Sequence, residues 1–124
     1  PDMKIPIQYA LTYPDHHPAG WEELDLPSIG QLTFEKPDLE KFPCIRLAYD
    51  ALRKGGTCPI VLNVANDVVV DAFLKDHIQF IQISSLIEAA INSHEFISNP
   101  DLETIADISQ WTNEFIHDQI AISA

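Results

Sequence analysis

From about residue 42 onward, apolar residues recur at intervals of three and four, which is the spacing of an amphipathic helix. The spacing and the residues at its ends predict helices over about 43–54, 58–75, 85–93 and 100–120. Short connections between consecutive helices favour antiparallel neighbours. We therefore predict a mainly α protein with an antiparallel four-helix bundle.

The same spacing predicts which face of each helix is buried. On the first helix the predicted buried residues are Ile45, Ala48, Tyr49 and Leu52. On the second they are Val61, Val64, Ala65, Val68 and Ala72, with Val69 and Phe73 widening the stripe. On the fourth they are Leu102, Ile105, Ile108, Thr112 and Phe115.

Residues typical of helix ends support these boundaries. The glycine pair 55–56 ends the first helix, and Thr57 is the predicted N-cap of the second. Ser85 and Glu88 have the spacing of a capping box at the start of the third helix. Asn99 is the predicted N-cap of the fourth.

The first 41 residues differ from the rest, because they hold six of the nine prolines and little sustained periodicity. Residues 5–11 predict a short helix with Pro6 in its first turn. Residues 32–34 predict a short strand that Pro37 ends. We therefore divide the chain into an irregular arm over 1–41, expected to wrap over other structure, and a helical domain over 42–124.

Charge restricts the class of partner. Seven Lys and Arg face nineteen Asp and Glu, a formal net charge of −12. Binding to nucleic acid or to an anionic membrane surface needs basic side chains, so neither is predicted. No apolar run approaches the length of a membrane span. The hydrophobic content of 46% is enough for a packed core.

The cysteines indicate the redox compartment of the protein, and the first residue bears on whether the chain is part of a longer protein. Cys44 and Cys58 lack CxxC spacing and are predicted to be reduced core residues of a cytoplasmic protein. The chain begins with Pro1 and not with methionine, which suggests a piece of a longer protein.

Three neighbouring residues invite a metal-site hypothesis. Asp15, His16 and His17 are all possible ligands, but a site needs further ligands that the sequence does not place. A solvated loop is the favoured interpretation. A self-sufficient metalloenzyme using these three side chains is the less favoured one.

The last helix offers a second metal hypothesis and an acidic face. Glu114 and His117 have Glu-x-x-His spacing, but a di-iron bundle needs two such motifs and further glutamates, so a structural role is favoured. The face carries Glu103, Asp107, Glu114 and Asp118, which favours a solvated surface and leaves open contact with a basic partner.

The phosphate-binding motifs are missing. The four glycines, at positions 20, 30, 55 and 56, cannot form the dinucleotide fingerprint or the P-loop. No GxSxG or other recognisable nucleophile arrangement occurs. The residues alone therefore predict no complete catalytic site, and they leave open a free-standing helical module for protein interaction.

Four tracts, in order, resemble the C-terminal third of the 1-deoxy-D-xylulose 5-phosphate reductoisomerase family. They are residues 1–11 (PDMKIPIQYAL), 32–38 (LTFEKPD), 43–49 (PCIRLAY) and 62–67 (LNVAND). The resemblance extends over about residues 1–80. In the last tract the family usually has Asn-Ala-Ala-Asn-Glu, whereas this chain has Val64, a packing adjustment, and Asp67, a shorter carboxylate.

The resemblance implies an enzyme that uses NADPH and Mg²⁺ or Mn²⁺. It converts 1-deoxy-D-xylulose 5-phosphate to 2-C-methyl-D-erythritol 4-phosphate in non-mevalonate isoprenoid biosynthesis. The family has an NADPH-binding N-terminal domain, a central domain with the metal carboxylates, and a C-terminal helical bundle that braces it. Family members are typically homodimers.

For this chain, the resemblance implies a structural support that is inactive alone. The catalytic and metal-binding residues would precede Pro1, so none is expected here and neither cofactor should bind this chain by itself. Pro1 and Met3 match positions that line the nicotinamide side of the family's pocket.

Overall fold

The structure, a computed structural model, describes residues 2–20 and 24–123. In these residues it contains six α-helices and no strand. The helices are α1 (Lys4–Thr12), α2 (Leu26–Ile29), α3 (Cys44–Lys54), α4 (Cys58–Leu74), α5 (Phe80–Ser93) and α6 (Leu102–Ser123). The prediction of a mainly α protein is confirmed.

The chain forms two compact units, residues 1–36 and 37–124. The first unit holds α1 and α2, and neither helix contains a buried residue. The helix predicted over 5–11 is present as α1. The strand predicted over 32–34 is wrong, because those residues are irregular and a strand is stable only beside a hydrogen-bonded neighbour.

The core of the second unit is built around α4, which contacts α3, α5 and α6. Its buried residues share one helical face and are Cys58, Val61, Ala65, Val69 and Ala72. From α5 come Ile83, Leu86, Ile87 and Ala90. The predicted face of α4 is thus largely confirmed, with Val64 and Val68 half-buried at its edge.

The predicted buried face of α3 is wrong. The structure buries Leu47 and Ala51 of this helix. It leaves exposed the four residues predicted to be buried, Ile45, Ala48, Tyr49 and Leu52. Both sets are apolar, and α3 turns the Leu47 set toward α4 and α5. We call the exposed set the outer stripe of α3.

The predicted face of α6 needs two corrections. Leu102 is 85% exposed, whereas Ile116, which the prediction missed, is fully buried. Leu102 is the first residue of α6, and a helical side chain leans toward the N-terminus, so here it points beyond the helix. Thr112 is buried as predicted, and Ile105, Ile108 and Phe115 are half-buried.

The start of α5 also differs from the prediction. A capping box of Gln79 and Gln82 begins this helix, with the Gln79 N–H donating to the Gln82 side chain at 2.7 Å. Ser85 lies inside the helix, and Glu88 accepts a hydrogen bond from Arg46 at 3.1 Å. The capping box predicted for Ser85 and Glu88 is therefore wrong.

The helix α6 is capped by Asp101 and not by Asn99 as predicted. The Asp101 carboxylate accepts a hydrogen bond from the Thr104 N–H at 2.8 Å. Hydrogen bonds from the Thr104 side chain and backbone hold the pKa of Asp101 below its ordinary value. The cap is therefore strongest above that ordinary pKa and weakens on acidification.

A buried polar network ties the start of α4 to the segment after α5. His94 Nδ1 lies 2.7 Å from the Ile91 carbonyl, which only accepts, so Nδ1 carries the proton. Nε2 then accepts from the Thr57 hydroxyl at 3.1 Å, and that hydroxyl accepts from the Ile97 N–H at 3.1 Å. Thr57 occupies the predicted N-cap position, but its side chain bonds this network and not α4.

Candidate functional site

The N-terminal segment holds the site residues that the sequence predicted. Pro1 lies outside the described residues. Met3 immediately precedes α1, and its side chain is 70% exposed. Its thioether is thus available to another surface and contributes little to packing within the first unit.

Asp2 was not among the residues predicted from the sequence. Its carboxylate accepts a hydrogen bond from the Lys4 N–H at 3.0 Å and so closes a turn around Met3. An aspartate two residues before the first turn of a helix is the signal that identifies such a turn.

A cleft of about 490 Å³ runs between α1 and the residues that follow it. Its walls include Ile5, Tyr9 and Thr12 on one side and His16 and His17 on the other. Tyr9 and His16 stack with ring centroids 4.6 Å apart. Local contacts therefore hold this loop against α1 within the first unit.

The structure does not assemble the metal site suggested by Asp15, His16 and His17. These three side chains are exposed. Within the described ranges, no group of three or more His, Cys, Asp or Glu side chains is placed to hold a metal ion. The favoured interpretation of a solvated loop agrees with this geometry.

The Glu-x-x-His pair of α6 has ordinary partners within its own helix. His117 Nδ1 donates to the Asn113 carbonyl at 2.8 Å, and Glu114 accepts from the Gln110 amide at 2.8 Å. The four acidic side chains at 103, 107, 114 and 118 are exposed. This agrees with a solvated face.

The cysteines provide no reactive site. Neighbouring atoms partly desolvate the Cys44 thiol and so raise its pKa, which keeps it protonated at neutral pH and a weak nucleophile. Cys58 lies 3.8 Å from His94, but both side chains are buried. Both cysteines are free, Cys58 is a core residue as predicted, and the prediction for Cys44 is wrong because it is exposed.

A second cavity, of about 510 Å³, lies beside the start of α3. Most of its wall is apolar and is formed by Phe42, Pro43, Val70, Phe80 and Ile81.

The length and hydropathy of the helices bear on membrane insertion. Within residues 2–20 and 24–123, none of the helices has the length and apolar character of a membrane span.

The fold and the site together define a class: a mainly α domain preceded by an N-terminal segment whose apolar residues are exposed. The sequence model described as the DXP reductoisomerase C-terminal domain matches residues 1–115. This chain therefore belongs to the 1-deoxy-D-xylulose 5-phosphate reductoisomerase family, as its C-terminal region.

Curated relatives support the same family assignment. The reductoisomerase of Acetivibrio thermocellus is 47% identical over 118 residues, covering 95% of this chain and 31% of the relative. That of Chloroherpeton thalassium is 50% identical over 119 residues, covering 96% and 31%. The chain spans about a third of the length of these relatives.

Solved structures of reductoisomerases also support this family assignment. The Zymomonas mobilis reductoisomerase in complex with NADPH matches 97% of this chain and 32% of its own, with a TM-score of 0.83 and 32% identity. A DOX-P reductoisomerase in complex with NADPH, fosmidomycin and magnesium matches 98% and 32%, with a TM-score of 0.83 and 36% identity.

Proposed function

We propose that this chain is the C-terminal part of an enzyme that converts 1-deoxy-D-xylulose 5-phosphate to 2-C-methyl-D-erythritol 4-phosphate. The observation that carries the proposal is the family match over residues 1–115. The reductoisomerase of Chloroherpeton thalassium, 50% identical over 119 residues, supports it. The chain acts as a structural support and needs the preceding two thirds of the enzyme for activity.

The two units suggest how this support works. Residues 1–41 are a remnant of the central catalytic domain with its linker, and residues 42–124 are the C-terminal helical bundle. The absence of buried residues in α1 and α2 supports this, because an arm without a core is stable only against other structure. The outer stripe of α3, with Leu52 71% exposed, provides further apolar surface for contact with the preceding domains.

The described residues do not fit the divalent cation. Mg²⁺ is bound by carboxylates and other oxygen ligands. The residues of this chain that the structure describes contain no such cluster. Its ligands therefore belong to the preceding domains, and this chain is not expected to bind Mg²⁺ or Mn²⁺ by itself.

The N-terminal segment does fit one part of NADPH, the cofactor that donates hydride when bound. Pro1 and Met3 are proposed to line the nicotinamide side of the pocket. The exposed thioether of Met3 supports this, because a flexible, polarisable sulfur packs well on a flat ring and excludes water. The chain alone is not expected to hold the cofactor, since it lacks a phosphate-binding loop.

The cellular setting follows from the same proposal. We propose a cytoplasmic enzyme, assembled as a homodimer, that has neither a nucleic-acid nor a membrane partner. The net charge of −12 supports the last two points. The two free cysteines support a reducing compartment.

A fusion tests the function directly. This chain is joined to the first two thirds of the Acetivibrio thermocellus relative, replacing the 118 residues that it matches. We expect substrate-dependent NADPH oxidation by the fusion and none by this chain alone or by the truncated relative. Turnover by the isolated chain, or a folded fusion that binds NADPH but does not oxidise it, would refute the proposal.

The pocket role of Met3 predicts a specific kinetic change. In the fusion, Met3→Ala is expected to raise the KM for NADPH about tenfold, because truncation removes most of an apolar side chain from the ring. The control is Leu11→Ala, because Leu11 is an apolar residue near the other end of α1 that is even more exposed, at 82%. Equal changes in both variants would contradict a pocket role for Met3.

A further inference from the structure

The turn around Met3 is closed by side-chain and main-chain contacts of Asp2. Asp2 Oδ1 accepts from the Lys4 N–H at 3.0 Å, and Asp2 Oδ2 lies 3.3 Å from Lys4 Nζ. The Asp2 carbonyl also accepts from the Ile5 N–H at 3.2 Å. These bonds join the residue before Met3 to the residues after it, so they close a ring that contains Met3.

This ring fixes the direction in which the Met3 side chain projects from the main chain. Met3 adopts helical backbone angles, with φ −62° and ψ −18°, although it lies just before α1. Its own side chain makes no capping hydrogen bond, and the nearby helix buries none of its residues. Packing therefore contributes little to holding Met3. Its carbonyl accepts from the Ile7 N–H at 3.3 Å, and the Asp2 carboxylate adds a side-chain bond that closes the turn before the helix.

We propose that Asp2 is a positioning residue for the cofactor pocket: by closing the turn around Met3, it fixes the thioether where the nicotinamide ring packs. The inference rests on the proposed pocket role of Met3. Asp2 acts through Met3 and requires no contact with NADPH. An asparagine at this position retains the oxygen that accepts from the Lys4 N–H, whereas alanine does not.

The test uses the fusion enzyme with Asp2→Ala, Asp2→Asn and Met3→Ala. Asp2→Ala is expected to raise the KM for NADPH about fivefold, the factor that one hydrogen bond of typical net strength represents. Its kcat should change less than about twofold, because the turn orders a binding residue and not the chemistry. Asp2→Asn should restore a KM within about twofold of the unsubstituted enzyme.

Asp38 provides a matched control. Its carboxylate accepts from the N–H groups of Glu40 and Lys41, at 3.1 and 2.9 Å, so it closes the same kind of turn in the second unit. Asp38→Ala should leave the KM for NADPH unchanged. A rise equal to that of Asp2→Ala would mean that any lost turn has this effect, and would overturn the proposal.

The remaining outcomes separate the two levels of inference. A raised KM in Met3→Ala with an unchanged KM in Asp2→Ala overturns the positioning role and leaves the pocket role intact. An unchanged KM in Met3→Ala overturns both. Equal defects in Asp2→Ala and Asp2→Asn, or a fall in kcat at constant KM, also overturn the positioning role, because they indicate a need for charge or a loss of folded enzyme.

Discussion

Replacement of Ile116 by alanine is expected to lower the free energy of unfolding of the second unit by about 4 kcal/mol. Ile116 is fully buried in the core formed with α4 and α5. Truncation removes three carbon atoms and leaves a cavity, and the loss is large where the surrounding helices cannot collapse into it. Urea unfolding followed by far-ultraviolet circular dichroism measures the change.

The same helix supplies the control for this prediction. Ile122 is 79% exposed, so Ile122→Ala should change the free energy of unfolding by less than about 0.5 kcal/mol. Ile116→Val removes a single methylene and should cost about 1 kcal/mol, which keeps the test informative if the alanine variant does not fold. Equal midpoints for the two alanine variants would show that Ile116 is not a core residue.

The second large effect is expected from Gly56→Ala, which should lower the free energy of unfolding of the second unit by about 3 kcal/mol. Gly56 has φ +54°, a conformation that alanine adopts with strain. An added Cβ would also overlap the Ile97 carbonyl and meet Ser98 Cα at 3.0 Å. Because these are backbone atoms, relief requires movement of the segment that hydrogen-bonds to Thr57.

The neighbouring glycine separates strain from overlap. Gly55 has φ +67°, but an added Cβ there meets nothing within 4 Å. With ψ −151°, Gly55 lies in a backbone region that is essentially restricted to glycine. Gly55→Ala should therefore show the conformational cost alone, about 2 kcal/mol. Similar thermal midpoints for the two variants would contradict a close approach of the main chain at Gly56.

The helices of the second unit could be predicted from the sequence, but not all of their ends. The four helices after residue 42 were predicted because apolar spacing and helix-end residues agreed. The start of α5 was missed because Ser85 and Glu88 have the same spacing as the pair that caps it, Gln79 and Gln82. Local sequence cannot choose between two such boxes, since the choice depends on how far the helix is packed on its neighbours.

The site was predicted only in part. Resemblance to the family predicted a role for Met3, whereas the hydrogen bonds of Asp2 are seen only in the structure. The histidine motifs suggested metal chemistry that the described side chains do not assemble. Ligands of a metal ion come together through tertiary structure, so spacing within one loop or one helix is weak evidence for them.

What the sequence by itself determined is the mainly α class, the apolar face of α4 and the family, because these depend on local periodicity and on ordered tracts. The tertiary structure decided which of two apolar faces of α3 is buried, since that depends on where α4 and α5 lie. It also decided the pairing of Thr57 with His94 and Ile97, which are 37 and 40 residues further along the chain. Contacts at such separations form only when the helices pack, so no local pattern specifies them.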